Sequence, residues 1–332
     1  MSSAVRNGKT RRAAAADDHR RPDGGSVDHG RRAWLGVAVA LLAGCQSAPV
    51  KPPAPVPVVE APPPPPPPPP KPPPRPPRVG LALGGGAARG FAHIGVIQVL
   101  EEAGIRPSLV AGTSAGSLVA ALYASGKTGA ELGLLADAMD EAAITDWSFP
   151  GRGLIRGEAL ARFVRDNTGG RPIEQMKIPL GIVATDLDNG APILFQVGDT
   201  GVAVRASSAV PAVFQPVRIG SREYVDGGLV SPVPVRFARQ MGAELVIAVD
   251  ISDPPDGAAT GDMMRMLLQT FSIMGRSINY FELRDADIVL RPHLPGVSSA
   301  DFASRKRTIQ AGREAALAQL PDIRAKIAAR TR

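Results

Sequence analysis

The chain has 332 residues and a formal charge of +7, and all of that excess sits in residues 1–78, which carry twelve basic and five acidic residues. Residues 79–332 balance at 26 basic and 26 acidic, so the charge gives no ground for nucleic-acid binding. Cys45 is the only cysteine, which excludes an intramolecular disulfide.

Residues 1–32 are polar and charged, and Ala33 to Ala43 is then continuously apolar or small. That run is too short to span a bilayer as a helix and suits the hydrophobic region of a secretory signal. It leads into Leu42-Ala43-Gly44-Cys45, which resembles the lipobox of bacterial lipoproteins. The resemblance implies cleavage before Cys45, lipidation of its thiol, and a membrane-anchored protein of the bacterial cell envelope. Gln46 in place of an aspartate fits sorting to the outer membrane, on its periplasmic face. Residues 1–44 are therefore expected to be leader and signal. Residues 45–78 include nine consecutive prolines, Pro62 to Pro70, and predict an extended polyproline II spacer.

From Val79 onward strands and helices alternate. Val79–Leu83 predicts a strand, Gly84 to Gly90 a glycine-rich turn, and Phe91–Ala103 a helix. Leu109–Ala111 predicts a second strand, followed by helices over Ser114–Ala124 and Gly129–Ala142. Asp146–Arg156 reads as a loop, a candidate lid or acyl-binding wall, and Gly157–Asn167 as a helix. Strands are expected at Ile178–Thr185 and Ile193–Val197, paired across Asp188-Asn189-Gly190, with a short helix over Val202–Ser208. Val217–Ile219 and Glu223–Val225 predict a hairpin that delivers Asp226-Gly227-Gly228.

Leu245–Asp250 completes a core over residues 79–250, and residues 251–332 read as an extension of the same domain. That extension holds a Met-rich helix over Met263–Leu283, a strand at Ile288–Leu290, and a basic amphipathic helix from Ser304 that breaks near Pro321. The tail helix reads as a packing helix with a solvated basic face, the other reading being a membrane-surface contact. The alternation predicts an α/β fold, a three-layer α/β/α sandwich on a mostly parallel central sheet. Neither an internal repeat nor metal-ligand spacing is present.

Two glycine-rich turns follow the first two strands. In Gly112-Thr113-Ser114-Ala115-Gly116 a strand runs into a helix, the G-x-S-x-G step that presents a serine at the apex of a sharp turn, with Gly112 and Gly116 relieving the crowding. The Gly84 to Gly90 loop fails the dinucleotide spacing, since Arg89 falls at the sixth position from Gly84 and Ala87 at the third from Gly85. Freed N–H groups at a helix start suit an oxyanion instead. A serine needs a base. His19 and His29 lie in the leader and His93 in the helix after the glycine loop, while His293 would complete the chain order of a Ser-Asp-His triad. Asp226, in a tight turn flanked by Gly227 and Gly228, is the other candidate, acting directly. A non-catalytic envelope protein that binds lipid or a partner is the reading from another class.

Taken together, the G-G-G-A-A-R-G loop, the G-T-S-A-G-S turn some thirty residues on, and A-S-S-A-V-P-A-V-F-Q-P before D-G-G resemble the patatin-like phospholipase family, most closely its bacterial members. The resemblance covers about Val79 to Asp250. It implies a Ser–Asp dyad without a catalytic histidine, acting on lipid or phospholipid acyl esters, with no metal or cofactor. Carried onto this sequence, Ser114 would be the nucleophile and Asp226 the base. Gly84, Gly85, Gly86, Ala87, Arg89 and Gly90 would form the oxyanion loop, with Arg89 orienting it or meeting a substrate phosphate. Ala87-Ala88 shifts the glycine pattern within that loop.

Overall fold

The fold was obtained as a computed structural model, which describes Pro52 and residues 74–147, 152–252, 261–298 and 300–332. The leader, the signal, Cys45 and all of the proline spacer but Pro52 and residues 74–78 lie outside the described residues.

The elements in chain order are β1 (Val79–Leu83), α1 (Phe91–Glu102), β2 (Leu109–Thr113), α2 (Ala115–Ala124), α3 (Gly129–Ala138), β3 (Gly153–Ile155), α4 (Glu158–Thr168), β4 (Leu180–Asp186) and β5 (Pro192–Phe195). They continue with α5 (Thr200–Ser207), β6 (Ala212–Phe214), β7 (Val217–Ile219), β8 (Arg222–Asp226), α6 (Val235–Gln240), β9 (Leu245–Val249), α7 (Met263–Glu282), β10 (Ile288–Leu290) and α8 (Arg305–Arg330). The main sheet runs β10-β9-β1-β2-β4-β8-β7, with β5 also paired to β4. The five strands from β10 to β4 are parallel, while β5 and β8 run antiparallel to β4 and β7 antiparallel to β8.

Strand periodicity divides the core by size. Leu81, Leu83, Val110, Ile247 and Val249 face one side, where they pack with α1, α2 and α8, and the intervening Ala82, Ala111, Val246 and Ala248 face the other, beneath α6. Both faces are covered, so these parallel strands read as near-continuous apolar runs. The result is the three-layer α/β/α arrangement expected above.

Several local expectations are corrected. Gly153–Ile155 is not loop but a strand paired with Ala212–Phe214, and Asp146 accepts hydrogen bonds from Gly157 N (2.7 Å) and Ala159 N (3.1 Å) at the start of α4. The helix expected to reach Ala142 ends at Ala138, and a separate 3-10 turn follows over Glu141–Ile144. The tail helix does not break at Pro321 but runs unbroken to Arg330. Downstream of the proline it is held by fully buried Ile323 and by Lys326 Nζ and Arg330 Nη2, which donate to Asp287 O and Oδ1 at 2.7 and 2.5 Å. Tertiary contacts thus outweigh the missing backbone bond. The same helix crosses α1 with backbones nearly touching: a Cβ on Gly95 would lie 2.0 Å from Ile309 O, and one on Gly312 1.9 Å from Ala92 O. The tail is a packing helix of this domain.

Candidate active site

Parallel α/β sheets gather ligands at the carboxyl ends of their strands. Here the ends of β1 and β2 carry the glycine loop and Ser114. Ser114 adopts φ 53° and ψ −125°, a conformation disfavoured for any residue with a Cβ, immediately before α2. The turn closes because Gly112 and Gly116 bring backbones together; a Cβ on Gly116 would stand 2.1 Å from Leu83 O, and one on Gly112 2.4 Å from Gly116 O. Ser117 Oγ donates to Ser114 O at 2.6 Å, and Ser114 N donates to Ser207 Oγ at 2.9 Å. Ser207, fully buried on α5, donates in turn to Val183 O at 2.5 Å. Its hydroxyl therefore pins the strained turn to β4.

Asp226 ends β8 and is brought to the same pocket. Its backbone is held on both sides, by Asp226 N donating to Ala209 O (3.0 Å) and Thr185 Oγ1 donating to Asp226 O (2.8 Å). Gly228 N donates to Oδ1 at 2.6 Å, while Oδ2 is buried without a hydrogen-bond partner. Burial pushes the carboxyl up to about 6, against the lowering pull of the Ser114 hydroxyl and the Gly228 N–H. Gly227 lets β8 turn against β4, since a Cβ there would fall 2.2 Å from Val183 O. The pocket holding Ser114 and Asp226 has a volume of about 410 Å³, and Gly85, Gly86, Ala87 and Arg89 line it together with Gly228.

The glycine loop divides by what its N–H groups do. Gly84 N donates to Val249 O and Gly85 N to Pro232 O, both at 3.0 Å, so neither is available to an oxyanion. Gly90 lies at the end of the following 3-10 turn, where a Cβ would meet Ala115 Cβ at 2.9 Å. Of the six expected loop residues, Gly86 and Ala87 line the pocket and their N–H groups make no such bond, Ala87 at φ 49°. Arg89 is buried, and its Nε and Nη2 donate to Ile251 O at 2.8 and 2.5 Å, which ties the loop to the end of β9. This favours the orienting role over the phosphate contact.

Neither histidine among the described residues lines this pocket. His93 is fully buried, with Nε2 donating to Gly84 O at 2.8 Å; burial pushes it down to about 4, which the Gly84 carbonyl only partly opposes. A neutral ring is thus built into the base of the glycine loop. His293 is exposed and does not line the pocket that holds Ser114 and Asp226. Ser207, Thr185 and Thr113, whose Oγ1 donates to Ser231 O at 2.8 Å, were not singled out from sequence. The one signal for Ser207 was its place in A-S-S-A-V-P, a stretch otherwise without chemical distinction.

Fold and site together define an α/β protein of the nucleophile-elbow type, with a serine and a buried carboxyl in one pocket. Residues 81–239 match the family model described as Patatin-like phospholipase. An uncharacterized NTE family protein of Mycobacterium tuberculosis is 40% identical over 186 residues, covering 55% of this chain and 51% of the relative. The mouse patatin-like phospholipase domain-containing protein 6 is 33% identical over 196 residues, covering 56% of this chain and 14% of the relative. The chain thus spans about half the length of the mycobacterial relative. Among solved structures, VipD from Legionella pneumophila shares the fold, with a TM-score of 0.52 at 15% identity over 75% of this chain and 68% of that one.

Proposed function

We propose that the chain is a serine lipid acyl hydrolase working through a Ser114–Asp226 dyad. The observation that carries this reading is a strained serine and a buried carboxyl in one pocket that no histidine among the described residues lines. Asp226 Oδ2 takes the Ser114 hydroxyl proton as Oγ attacks the ester carbonyl, and the Gly86 and Ala87 N–H groups receive the developing oxyanion. Collapse expels the alcohol, which takes the proton from Asp226, and leaves an acyl-serine. Water then attacks that ester with Asp226 again accepting the proton, and collapse breaks the bond to Ser114 Oγ, which takes the proton back from Asp226 as the carboxylic acid leaves. The match of residues 81–239 to the Patatin-like phospholipase model and the largely apolar pocket support a lipid or phospholipid ester as substrate.

The decisive test uses a short-chain soluble ester and a fluorophosphonate probe. Ser114→Ala should lose both turnover and labelling, and Asp226→Asn should lose turnover, each with the protein folded. His293→Ala should behave as the parent. A dead His293→Ala beside an active Asp226→Asn would replace the dyad with a triad. Cleavage and lipidation at Cys45, with the domain held by its proline spacer at the periplasmic face of the outer membrane, are part of the same reading and rest on residues 33–78. Cys45→Ala should move the protein out of the membrane fraction, and an unchanged distribution would remove the anchor from the proposal.

A further inference from the structure

Helix α7 is inverted relative to an ordinary surface helix. Its buried residues are the polar Asn279 and Glu282, whereas Met263, Met266, Ile273, Met274, Tyr280 and Phe281 stand in solvent, Met263 at 81% and Phe281 at 65% exposure. At 100° per residue these side chains, with Leu267, fall in two adjacent stripes, 266/273/280 and 267/274/281, on an arc about 140° wide. The opposite side of the helix faces inward, where Leu268, Phe271, Ser272, Gly275 and Arg276 line the pocket that holds Ser114. One helix therefore walls the candidate active site with its inner face and offers an apolar outer face to whatever lies beyond the pocket.

Basic charge predominates around that face, the one exposed carboxylate at its amino end being the N-cap Asp262, which lies 3.6 Å from Arg265. Arg265 and Arg276 border the apolar arc on one edge, and the Arg284 guanidinium lies over the Tyr280 and Phe281 rings at 4.4 and 5.5 Å. Glu282, the only acidic residue within α7, is buried and accepts a 2.6 Å bond from Ser231 Oγ. Basic and aromatic side chains bordering an apolar stripe are the composition of a helix lying in a membrane interface. A second copy of the chain fits less well. A coiled-coil seam needs apolar residues alternately four and three apart, and in the series with that spacing, Leu267, Phe271, Met274, Ile278 and Phe281, Phe271 lines the Ser114 pocket and Ile278 is half-buried, so the seam is not open to a partner helix. None of the described helices is long and apolar enough to cross a membrane.

We propose that α7 is the face by which the domain lies on an anionic lipid surface, which places the mouth of the Ser114 pocket at the source of its substrate. The choice of occupant rests on the lipid-hydrolase reading, but the docking itself needs no turnover. The test uses the full chain with Cys45→Ala, so that no lipid anchor contributes, and Ile273→Cys as the only thiol, labelled with an environment-sensitive fluorophore. Vesicles containing phosphatidylglycerol should shift the emission to the blue and expose the label to quenching by spin-labelled lipid. Phosphatidylcholine alone should require at least about tenfold more lipid for the same response. A label at Asp188→Cys, in the turn between β4 and β5, should not respond. Met266→Cys repeats the measurement if Ile273→Cys fails to fold. Absence of a shift at both α7 positions, or an equal shift at Asp188, overturns the proposal. A blue shift without vesicles that grows with protein concentration gives the face to a second copy and overturns it equally, and equal responses to both lipids overturn the anionic preference. Because labelled Ser114→Ala should dock unchanged, failure of docking and failure of the hydrolase reading are read separately.

Discussion

At the scale of residues, burial gives Asp226 two consequences of opposite value. Lifted to about 6, the carboxyl is a base matched to near-neutral pH, and it must be ionised to accept the Ser114 proton. Hydrolysis of a soluble ester should therefore rise with pH and level off above about 6, and a pH profile of kcat/KM checks this. For stability the sign reverses. A native carboxyl at about 6 against an ordinary 3.8 holds its proton more tightly when folded, so stability is greatest below about 4 and declines as pH rises through 6. Above that, the buried charge costs up to about 3 kcal/mol. Asp226→Asn should consequently melt higher than the parent at pH 8, show no such gain at pH 3, and be inactive throughout. Equal melting temperatures at pH 8 would mean that the carboxylate is better solvated than its position implies. His93 works in the other direction: held at about 4 by burial, it resists a proton that the unfolded chain accepts, so the fold weakens as pH falls from about 6.5 towards 4.

At the scale of elements, what could be read from sequence divides by the range of the interaction. The strand-turn-helix units around Gly84 and Ser114 were legible because short-range glycine spacing and apolar periodicity specify them, and the β7–β8 hairpin because its strands are neighbours in the chain. The pairing of β3 with β6 was not, since each has three residues and nearly sixty positions separate them. Neither was the division of the glycine loop, where Gly84 and Gly85 lose their donors to carbonyls that only the fold brings near. Pro321 shows a local rule overruled. A proline inside a helix lacks a donor and crowds the carbonyl four residues back, at a cost of about 3 kcal/mol relative to alanine. Since Pro321 itself is exposed and its neighbours Leu320 and Ile323 supply the packing, Pro321→Ala should stabilise the protein by about 1–3 kcal/mol, measured as a shift in the denaturation midpoint. A destabilised variant would show that the proline shapes the helix to fit its groove.

At the scale of the whole molecule, the two ends of the domain meet: Arg75 N donates to Arg332 O at 2.6 Å and Arg332 N to Arg75 O at 3.1 Å. The family match ends at residue 239, yet the fold does not. Beyond that point β9 pairs directly with β1, the strand that leads into the glycine loop, and Arg89 is bonded to the residue two past β9. Helix α8 closes the large-side-chain face of the sheet, with Ile323 and Ala316 fully buried and Ile309, Leu320 and Ile327 packed on the same core. Fully burying one such branched aliphatic side chain contributes about 1.5–3 kcal/mol, while a domain's net stability is only about 5–15 kcal/mol. Removing residues 305–332 takes away most of that margin and strips α1, on which His93 and the glycine loop depend. The truncated chain should therefore fail to fold cooperatively, losing its thermal transition and its reaction with fluorophosphonate together. Were it to keep a sharp transition and label at Ser114, the hydrolase core would be complete within residues 79–304 and the tail helix an accessory to it.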